Sequence, residues 1–251
     1  MRCIGDLVYI NVAGQGILIL NSVKVAADLL DRRARIYSSR PRTIGKYTLS
    51  MISLSAYCFL TVAGEILTGD LLMPMLPYGD RWRRMRRAAH EGLSPSASKN
   101  FFASQEKEAC LMLDGMLQKN SDWKNEIARS ALSMSGGWIY DMPTIQNCHD
   151  PLITYGIDFM GRIVRAAFPG AHFADFFPWM KYLPSWMAKW KREAEYHFEK
   201  DDAYHQEMFQ AVEKRLDAGD ERVSFTSILQ QDAKHTGITY SEKVWLAAAI
   251  L

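Results

Sequence analysis

The spacing of apolar and polar positions changes after about the first twenty residues. Two short runs, Leu7-Val8-Tyr9-Ile10 and Ile17-Leu18-Ile19-Leu20, lie on either side of Gly14-Gln15-Gly16. β-branched and aromatic runs separated by a glycine-containing turn predict a β-hairpin. From Ser22 onward, apolar residues recur every three or four positions, which predicts helices. The predicted helices cover residues 22–33, 80–92, 97–119, 122–140, 150–167, 185–218 and 241–251. The predicted fold class is therefore mainly α with a small N-terminal β-hairpin.

Composition narrows the function classes. The 251 residues are 48% hydrophobic and 12% aromatic, which is enough apolar material for a buried core. The net charge of +2 gives no reason to expect a nucleic-acid partner, since that function needs a broad basic face with interleaved aromatic residues. Four cysteines without closely spaced pairs indicate a reducing compartment and argue against a zinc site or a disulfide framework. Any electrostatic function must therefore be local.

The segment with the strongest local charge is residues 76–87, where five arginines surround Trp82 after a Pro/Gly turn. Asp80 is predicted to cap a helix that these arginines begin. Trp82 and Arg86 are four residues apart, so an indole N–H and a guanidinium lie on one helical face. Both groups are donors suited to a carboxylate or phosphate. The alternatives are that Trp82 only anchors a core and that Arg86 pairs with an acid.

This segment carries a family resemblance. Residues 78–82 followed by Arg86 resemble the Trp-x-x-x-Arg helix of the cytochrome P-450 haem-thiolate monooxygenases. The hairpin, residues 22–30 and residues 36–41 resemble the family's first elements in the same order. Ala88 to Leu93, and the region from Phe168 to Ala194, are similar to fungal members of the microsomal type. The resemblance covers the N-terminal half of the family fold.

The resemblance implies an organisation for the whole chain. Residues 1–251 are expected to form a single incomplete P-450 domain. Within it, residues 1–45 contain the hairpin and the first helix, residues 46–75 form an atypical substrate-side loop, and residues 76–251 form a helical part that ends at the start of the oxygen-binding helix. Trp82 and Arg86 are expected to bind a propionate of haem b, the family's cofactor.

The family reaction oxidises a small organic substrate with O₂ at a haem iron held by a cysteine thiolate. The cysteine loop that supplies this ligand has no counterpart here, because Cys3, Cys58, Cys110 and Cys148 all lie in unrelated sequence contexts. We therefore expect a chain that is inactive alone, with no catalytic residue and no metal ligand of its own. The alternative is a non-enzymatic, helical partner-binding protein derived from the family.

Partners also follow from the resemblance. Arg83, Arg84 and Arg87 are expected to form the basic surface to which an NADPH-dependent reductase docks, and a small hydrophobic molecule is the expected substrate. The proline-bounded, aromatic connector at residues 177–184 indicates contact with a membrane surface. The expected location is the cytosolic face of the endoplasmic reticulum membrane, although the chain lacks an N-terminal anchor. For most of these rings we favour the simpler interpretation, in which Trp179, Trp186 and Trp190 pack against neighbouring helices.

Two further patterns resemble a membrane span and a metal site, but we predict neither. Residues 47–64 carry no charge, but their serines and threonines make them a poor membrane span. Glu193, His197, Asp201 and His205 recur every four residues along a predicted long helix. One straight helix rarely supplies a complete set of metal ligands, so we interpret this stripe as a solvated face rather than a metal site.

Overall fold

The computed structural model describes residues 5–12, 15–37, 61–118, 122–168, 171–172, 174, 178–220, 222–231 and 237–251. Strand β1, Leu7–Val12, pairs antiparallel with β2, Gln15–Leu20, so that Leu7 lies opposite Leu20. This pairing confirms the hairpin. Gln15 and Gly16 were predicted to form the turn but belong to β2, while Gly14 lies outside the described residues.

Most of the remaining described chain is helical, as the apolar spacing predicted. The α-helices are α1 Val23–Ala26, α2 Ala34–Tyr37, α3 Asp80–Leu93, α4 Pro95–Ser98, α5 Phe102–Leu117, α6 Trp123–Tyr140, α7 Pro151–Ala167, α8 Lys189–Asp217, α9 Phe225–Gln231 and α10 Tyr240–Ala248. A π-helix, Ala27–Arg32, continues α1, and a second lies at Thr61–Ile66. Three short 3₁₀ segments occupy Met73–Met75, Lys99–Phe101 and Pro178–Tyr182.

Two local predictions need correction. Asp80 is the first residue of α3 rather than the residue before it, and its carboxylate binds the Arg83 side chain. Helix α9 was not predicted, because seven residues are too few to show a helical period. Its start is instead set by reciprocal bonds, in which the backbone N–H of Ser224 donates to Ser227 Oγ and that of Ser227 to Ser224 Oγ, at 2.8 and 3.2 Å.

Chain contacts divide the protein into two compact units. Unit 1 contains residues 1–70, 75–79 and 163–197, and unit 2 contains residues 71–74, 80–162 and 198–251. In unit 1, the π-helix at Thr61–Ile66 is followed by the buried Thr68, whose hydroxyl donates to the carbonyls of Ala63 and Gly64. The connector before α8 is fixed by Lys191, whose ammonium donates to two carbonyls at 2.8 and 3.0 Å.

Unit 2 has a core built from several helices. Its largest fully buried side chains are Trp245, Phe209, Phe225, Met85, Ile139, Leu246 and His205. Helices α3, α9 and α10 pack against one another, and α5 packs against α6. A buried ion pair joins α5 to α6, because Arg129 Nη1 lies 3.3 Å from Glu108 Oε2. The same nitrogen lies 2.7 Å from the Ile145 carbonyl oxygen.

The predicted solvated stripe on α8 is only partly solvated. Glu193 is exposed, but Asp201 and His205 are 0% and 1% exposed. The prediction was wrong for these two residues because Arg162 of α7 neutralises Asp201 with two hydrogen bonds of 2.7 and 2.9 Å. No group of His, Cys, Asp and Glu that could hold a metal occurs in the part of the chain that the structure describes.

Gly92 provides a test of this packing. A Cβ built on Gly92 would lie 2.2 Å from Cδ2 of the fully buried Phe225 ring, so one of the two residues must move if a methyl group is added. We expect Gly92→Ala to lower the free energy of unfolding by about 1–2 kcal/mol, because overpacking outweighs the gain in helix propensity. Urea denaturation measures the change.

Gly137 in α6 is the matched control, since its added Cβ would make only an ordinary 3.5 Å contact with the Met142 carbonyl oxygen. Gly137→Ala should leave stability unchanged or raise it by up to about 1 kcal/mol through helix propensity. A Gly92→Ala protein as stable as the parent would show that α3 and α9 do not pack as described.

Candidate functional site

The candidate site lies on α3, and the buried residues of this helix determine which of its edges faces the core. Met85, Ala88, Ala89 and Gly92 are buried, and they share one edge of the helix at spacings of three and four. This edge packs against α9 and α10. The arginines at 83, 86 and 87 lie away from it and are exposed. The sequence thus directs one edge of α3 into the core and leaves the other faces open to a ligand or partner.

The first turn of α3 is attached to the first turn of α10 by an ion pair. Arg81 Nε donates to Glu242 Oε1 at 2.6 Å, and Glu242 is nearly buried. Glu242 also closes a capping box, because its other carboxylate oxygen accepts from the Thr239 backbone N–H at 2.8 Å. Burial raises the pKa of Glu242, but the Thr239 N–H and the Arg81 guanidinium outweigh it and hold the pKa below its usual value.

Trp82 and Arg86 occupy the face that the sequence predicted, one helical turn apart. Trp82 is half-buried and Arg86 is exposed. Among the described residues, no carboxylate or carbonyl accepts a hydrogen bond from Arg86. The alternative in which Arg86 pairs with an acid is therefore not what the described chain shows. Within the described part of the chain, the Arg86 guanidinium is therefore open to an anionic group, one helical turn from Trp82.

The other arginines of α3 differ in their surroundings. Arg83 pairs with Asp80, and this guanidinium lowers the pKa of the Asp80 carboxyl by a hydrogen bond and by its charge. Arg84 is half-buried, and its Nε has no hydrogen-bond partner in the described chain. Arg87 is exposed. These three residues give α3 a basic surface separate from the face of Trp82 and Arg86.

The two described cysteines lie in different surroundings. Cys110 is exposed on α5. Cys148 is half-buried, and its Sγ donates a hydrogen bond to Glu126 Oε1 at 2.7 Å. Burial and the Glu126 carboxylate raise the pKa of Cys148, which keeps it a neutral thiol. Cys3 and Cys58 lie outside the described residues.

The described aromatic side chains in and just after the connector are exposed to solvent. Trp179 and Trp186 are 61% and 76% exposed, and Tyr182 is 76% exposed. The simpler interpretation, in which these tryptophans pack against helices, is therefore wrong for Trp179 and Trp186. Trp190 is half-buried beside the His172 ring, at 6.3 Å between ring centroids. Across the described residues, no helix is both long enough and apolar enough to span a bilayer.

Comparisons with known proteins place these observations in one family. The sequence model of the family described as cytochrome P450 matches residues 72–249. A cytochrome P450 monooxygenase of Armillaria gallica is 46% identical over 246 residues, which is 98% of this chain and 44% of that protein. Cytochrome P450 monooxygenase 58 of Postia placenta is 34% identical, with the same two coverages. The chain thus spans less than half the length of these relatives.

Solved structures agree on the fold. A zebrafish cytochrome P450, in a structure with progesterone, superposes with a TM-score of 0.67 over 98% of this chain and 53% of that chain. A second zebrafish structure, with abiraterone, gives 0.61. The sequence identities are 16% and 13%, so these likenesses concern the fold alone. They confirm the mainly helical class and its correspondence to the N-terminal portion of that fold.

The ion pair that positions α3 can be tested by removing one partner. Arg81→Ala leaves the nearly buried Glu242 carboxylate without its guanidinium. We expect a loss of about 1–2 kcal/mol in the free energy of unfolding, less than for a fully buried pair, because Arg81 is 37% exposed. Arg83→Ala is the control and should cost less, because Arg83 and Asp80 are both exposed. Equal losses in urea denaturation would contradict a special role for Arg81.

Proposed function

The chain belongs to the cytochrome P450 family, and from that membership we propose that its function is haem-dependent monooxygenation of a small hydrophobic organic molecule with O₂. The relatives that support this proposal are monooxygenases about twice as long as the 251 residues. We further propose that residues 1–251 belong to one P450 domain, to which both compact units contribute. The observation that carries the proposal is the Arg86 guanidinium, with which no other described residue pairs, one helical turn from Trp82.

Trp82 and Arg86 fit one part of haem, a propionate carboxylate. The Arg86 guanidinium can form charge-assisted hydrogen bonds with both oxygens of a carboxylate, and the Trp82 Nε1–H can add a neutral one. Their common face results from the buried edge of α3, so the two donors are oriented before a ligand binds. When bound, haem supplies the iron centre at which O₂ is activated.

We propose that this chain alone does not catalyse the reaction. A thiolate ligand needs a cysteine whose pKa is lowered by nearby positive charge. Cys148 has the opposite environment, since a carboxylate accepts its proton and the nearby Arg129 already pairs with Glu126 and Glu108. Cys110 is a solvent-exposed residue of α5. The described residues therefore provide a propionate contact without an axial ligand.

The basic surface of α3 suits an acidic protein that delivers electrons. Arg87 is exposed and Arg84 is half-buried, and neither forms an ion pair with another described residue. We propose that an NADPH-dependent reductase docks here. Attraction between exposed charges weakens as salt increases, because the Debye length is only about 10 Å at 0.1 M ionic strength. Reductase binding should share that salt dependence.

The exposed aromatic connector supports a second interaction of the same enzyme. Trp179, Tyr182 and Trp186 present large rings with polar edges to solvent, and such rings favour the interface between a bilayer and water. We propose that this connector rests on a membrane surface, with the cytosolic face of the endoplasmic reticulum as the location.

Haem binding tests the first proposal. Haem titrated into the 251-residue chain should give a saturable change in the Soret band. Arg86→Ala should raise the dissociation constant for haem by about tenfold or more, because a charge-assisted hydrogen bond is lost. Trp82→Phe should have a smaller effect, because only one neutral donor is lost. Arg87→Ala is the matched control, because it removes the same charge from the neighbouring position of α3.

The same samples, reduced under carbon monoxide, report on the axial ligand. We expect no red-shifted Soret band of the thiolate type. If Arg86→Ala and Arg87→Ala bind haem equally, the propionate assignment is wrong. If the red-shifted band forms, a cysteine of this chain ligates iron, and the proposal of inactivity fails independently of Arg86.

Vesicle binding tests the connector. Tryptophan fluorescence of the chain should shift to the blue when neutral phosphatidylcholine vesicles are added, and Trp186→Ala should reduce partitioning by at least about threefold. The control is Trp123→Ala on α6, which removes an indole that is 56% exposed in unit 2. Equal partitioning of the two variants would show that the connector is not the contact surface.

A further inference from the structure

His205 lies in an aromatic enclosure inside unit 2. The imidazole is 1% exposed and is surrounded by rings from three helices. The ring centroids of Phe159 on α7 and Trp245 on α10 lie 5.3 and 5.0 Å away, both nearly perpendicular to the imidazole. Tyr155 on α7 and Tyr204 on α8 lie 6.0 and 6.4 Å away. His205 is therefore a point at which α7, α8 and α10 meet.

A chain of polar contacts leads from this histidine to a buried ion pair. His205 Nε2 lies 2.9 Å from the Tyr155 hydroxyl. The Asp201 carboxylate, by its charge and by a hydrogen bond, adds to the effect of burial in raising the pKa of Tyr155. Asp201 in turn accepts both hydrogen bonds from Arg162. The hydrogen bond between the Tyr155 hydroxyl and His205 Nε2 therefore places the imidazole next to this ion pair.

The second nitrogen of the imidazole has no such partner. His205 Nδ1 is buried, and no described residue forms a hydrogen bond with it. A protonated imidazole would place a positive charge in this apolar enclosure, with no acceptor for its Nδ1–H among the described residues. Burying an uncompensated charge is among the most costly events in a protein interior.

The charged groups around His205 do not compensate for that charge. From α7, the nearby titratable groups are Tyr155, which is neutral, and Arg162, which is positive. From α8, the Asp201 charge is already neutralised by Arg162, and Tyr204 is neutral. From α10 comes the uncharged Trp245, whose Nε1–H donates to Asp202 of α8 at 2.7 Å. Among the described residues, the charge that acts on the His205 imidazole is that of Arg162, which disfavours the imidazolium.

We propose that His205 is an acid-sensitive latch, which holds α7, α8 and α10 together while it is neutral and releases them when it is protonated. The latch consists of His205, its Tyr155 partner and the enclosing rings of Phe159 and Trp245. It differs from the haem contact on α3, because no residue of that contact takes part.

The pH range follows from the direction of the pKa shift. Burial, followed by the charge of Arg162, lowers the pKa of His205 from 6.5 to about 4. The unfolded chain therefore binds this proton more readily than the folded chain. The stabilising contribution is complete above pH 6.5 and is lost as the pH falls toward 4. Between about pH 7.5 and 5, this one group should shift the folding equilibrium about 30-fold toward the open state.

Hydrogen exchange of the 251-residue chain at about pH 7.5 and 5 tests the latch, after correction for the intrinsic exchange rate. We expect protection in α10 and in the part of α7 up to Arg162 to fall by about 30-fold at the lower pH. His205→Gln keeps a donor for the Tyr155 hydroxyl and cannot become charged, so its protection should change by less than about threefold. Helix α6 contains no histidine and serves as the internal reference.

His149→Gln is the matched control variant, since His149 is exposed in the same unit. It should lose protection in α7 and α10 at low pH as the parent does. If His205→Gln does not fold, His205→Phe, which retains an aromatic ring, takes its place. The latch is refuted if the parent keeps its protection at the lower pH, or if the parent and the uncharged variant lose it equally.

Discussion

The close contact between Gly92 and the Phe225 ring is the constraint on which the candidate site depends. Phe225 is fully buried, and it approaches the α3 backbone at a point where no side-chain carbon fits. Together with Met85 and the two buried alanines, this contact decides which edge of α3 enters the core. The orientation of every arginine on the helix follows from that choice. The ion pair of Arg81 with Glu242 then attaches the start of α3 to α10.

The same unit contains several buried charges that are held by an immediate partner. Arg129 lies between Glu108 and Glu126, and Arg162 holds Asp201. Such pairs add little net stability, because desolvation offsets much of the attraction between the charges. Their geometric demands are strict, since separating either pair would leave a charge buried alone. His205 is the exception, because it is a titratable group among these elements that is buried in its neutral form.

The sequence predicted those parts of the structure that depend on local pattern. The hairpin and the long helices α3, α6 and α7 follow from apolar periodicity, and their observed bounds lie within about two residues of the predicted ones. The face shared by Trp82 and Arg86 followed from helical geometry alone. Helix α9 could not be predicted in this way, because its seven residues are stabilised by a serine cap and by burial of Phe225.

The burial of Asp201 and His205 shows why the remainder was not predictable. Helix α8 carries charged residues on most of its turns, so its sequence indicates solvent on every side. Which acid is buried depends on Arg162, a residue 39 positions earlier on another helix. Likewise, the enclosure of His205 requires Phe159 from α7 and Trp245 from α10. These contacts join residues that are far apart in the sequence. The periodicity along one helix does not show which residues of other helices will pack against it.

The environments of Arg86 and Cys148 explain why family membership and the chemistry of this chain must be considered separately. Binding an anionic group requires only donors on a fixed face, and α3 supplies them within one helical turn. A thiolate requires positive charge that is not already neutralised by acids. Near Cys148 that charge belongs to Arg129, which is bound to two carboxylates and a carbonyl, while the thiol itself faces Glu126. The electrostatics of unit 2 therefore favour an anion on α3 and disfavour a thiolate at Cys148.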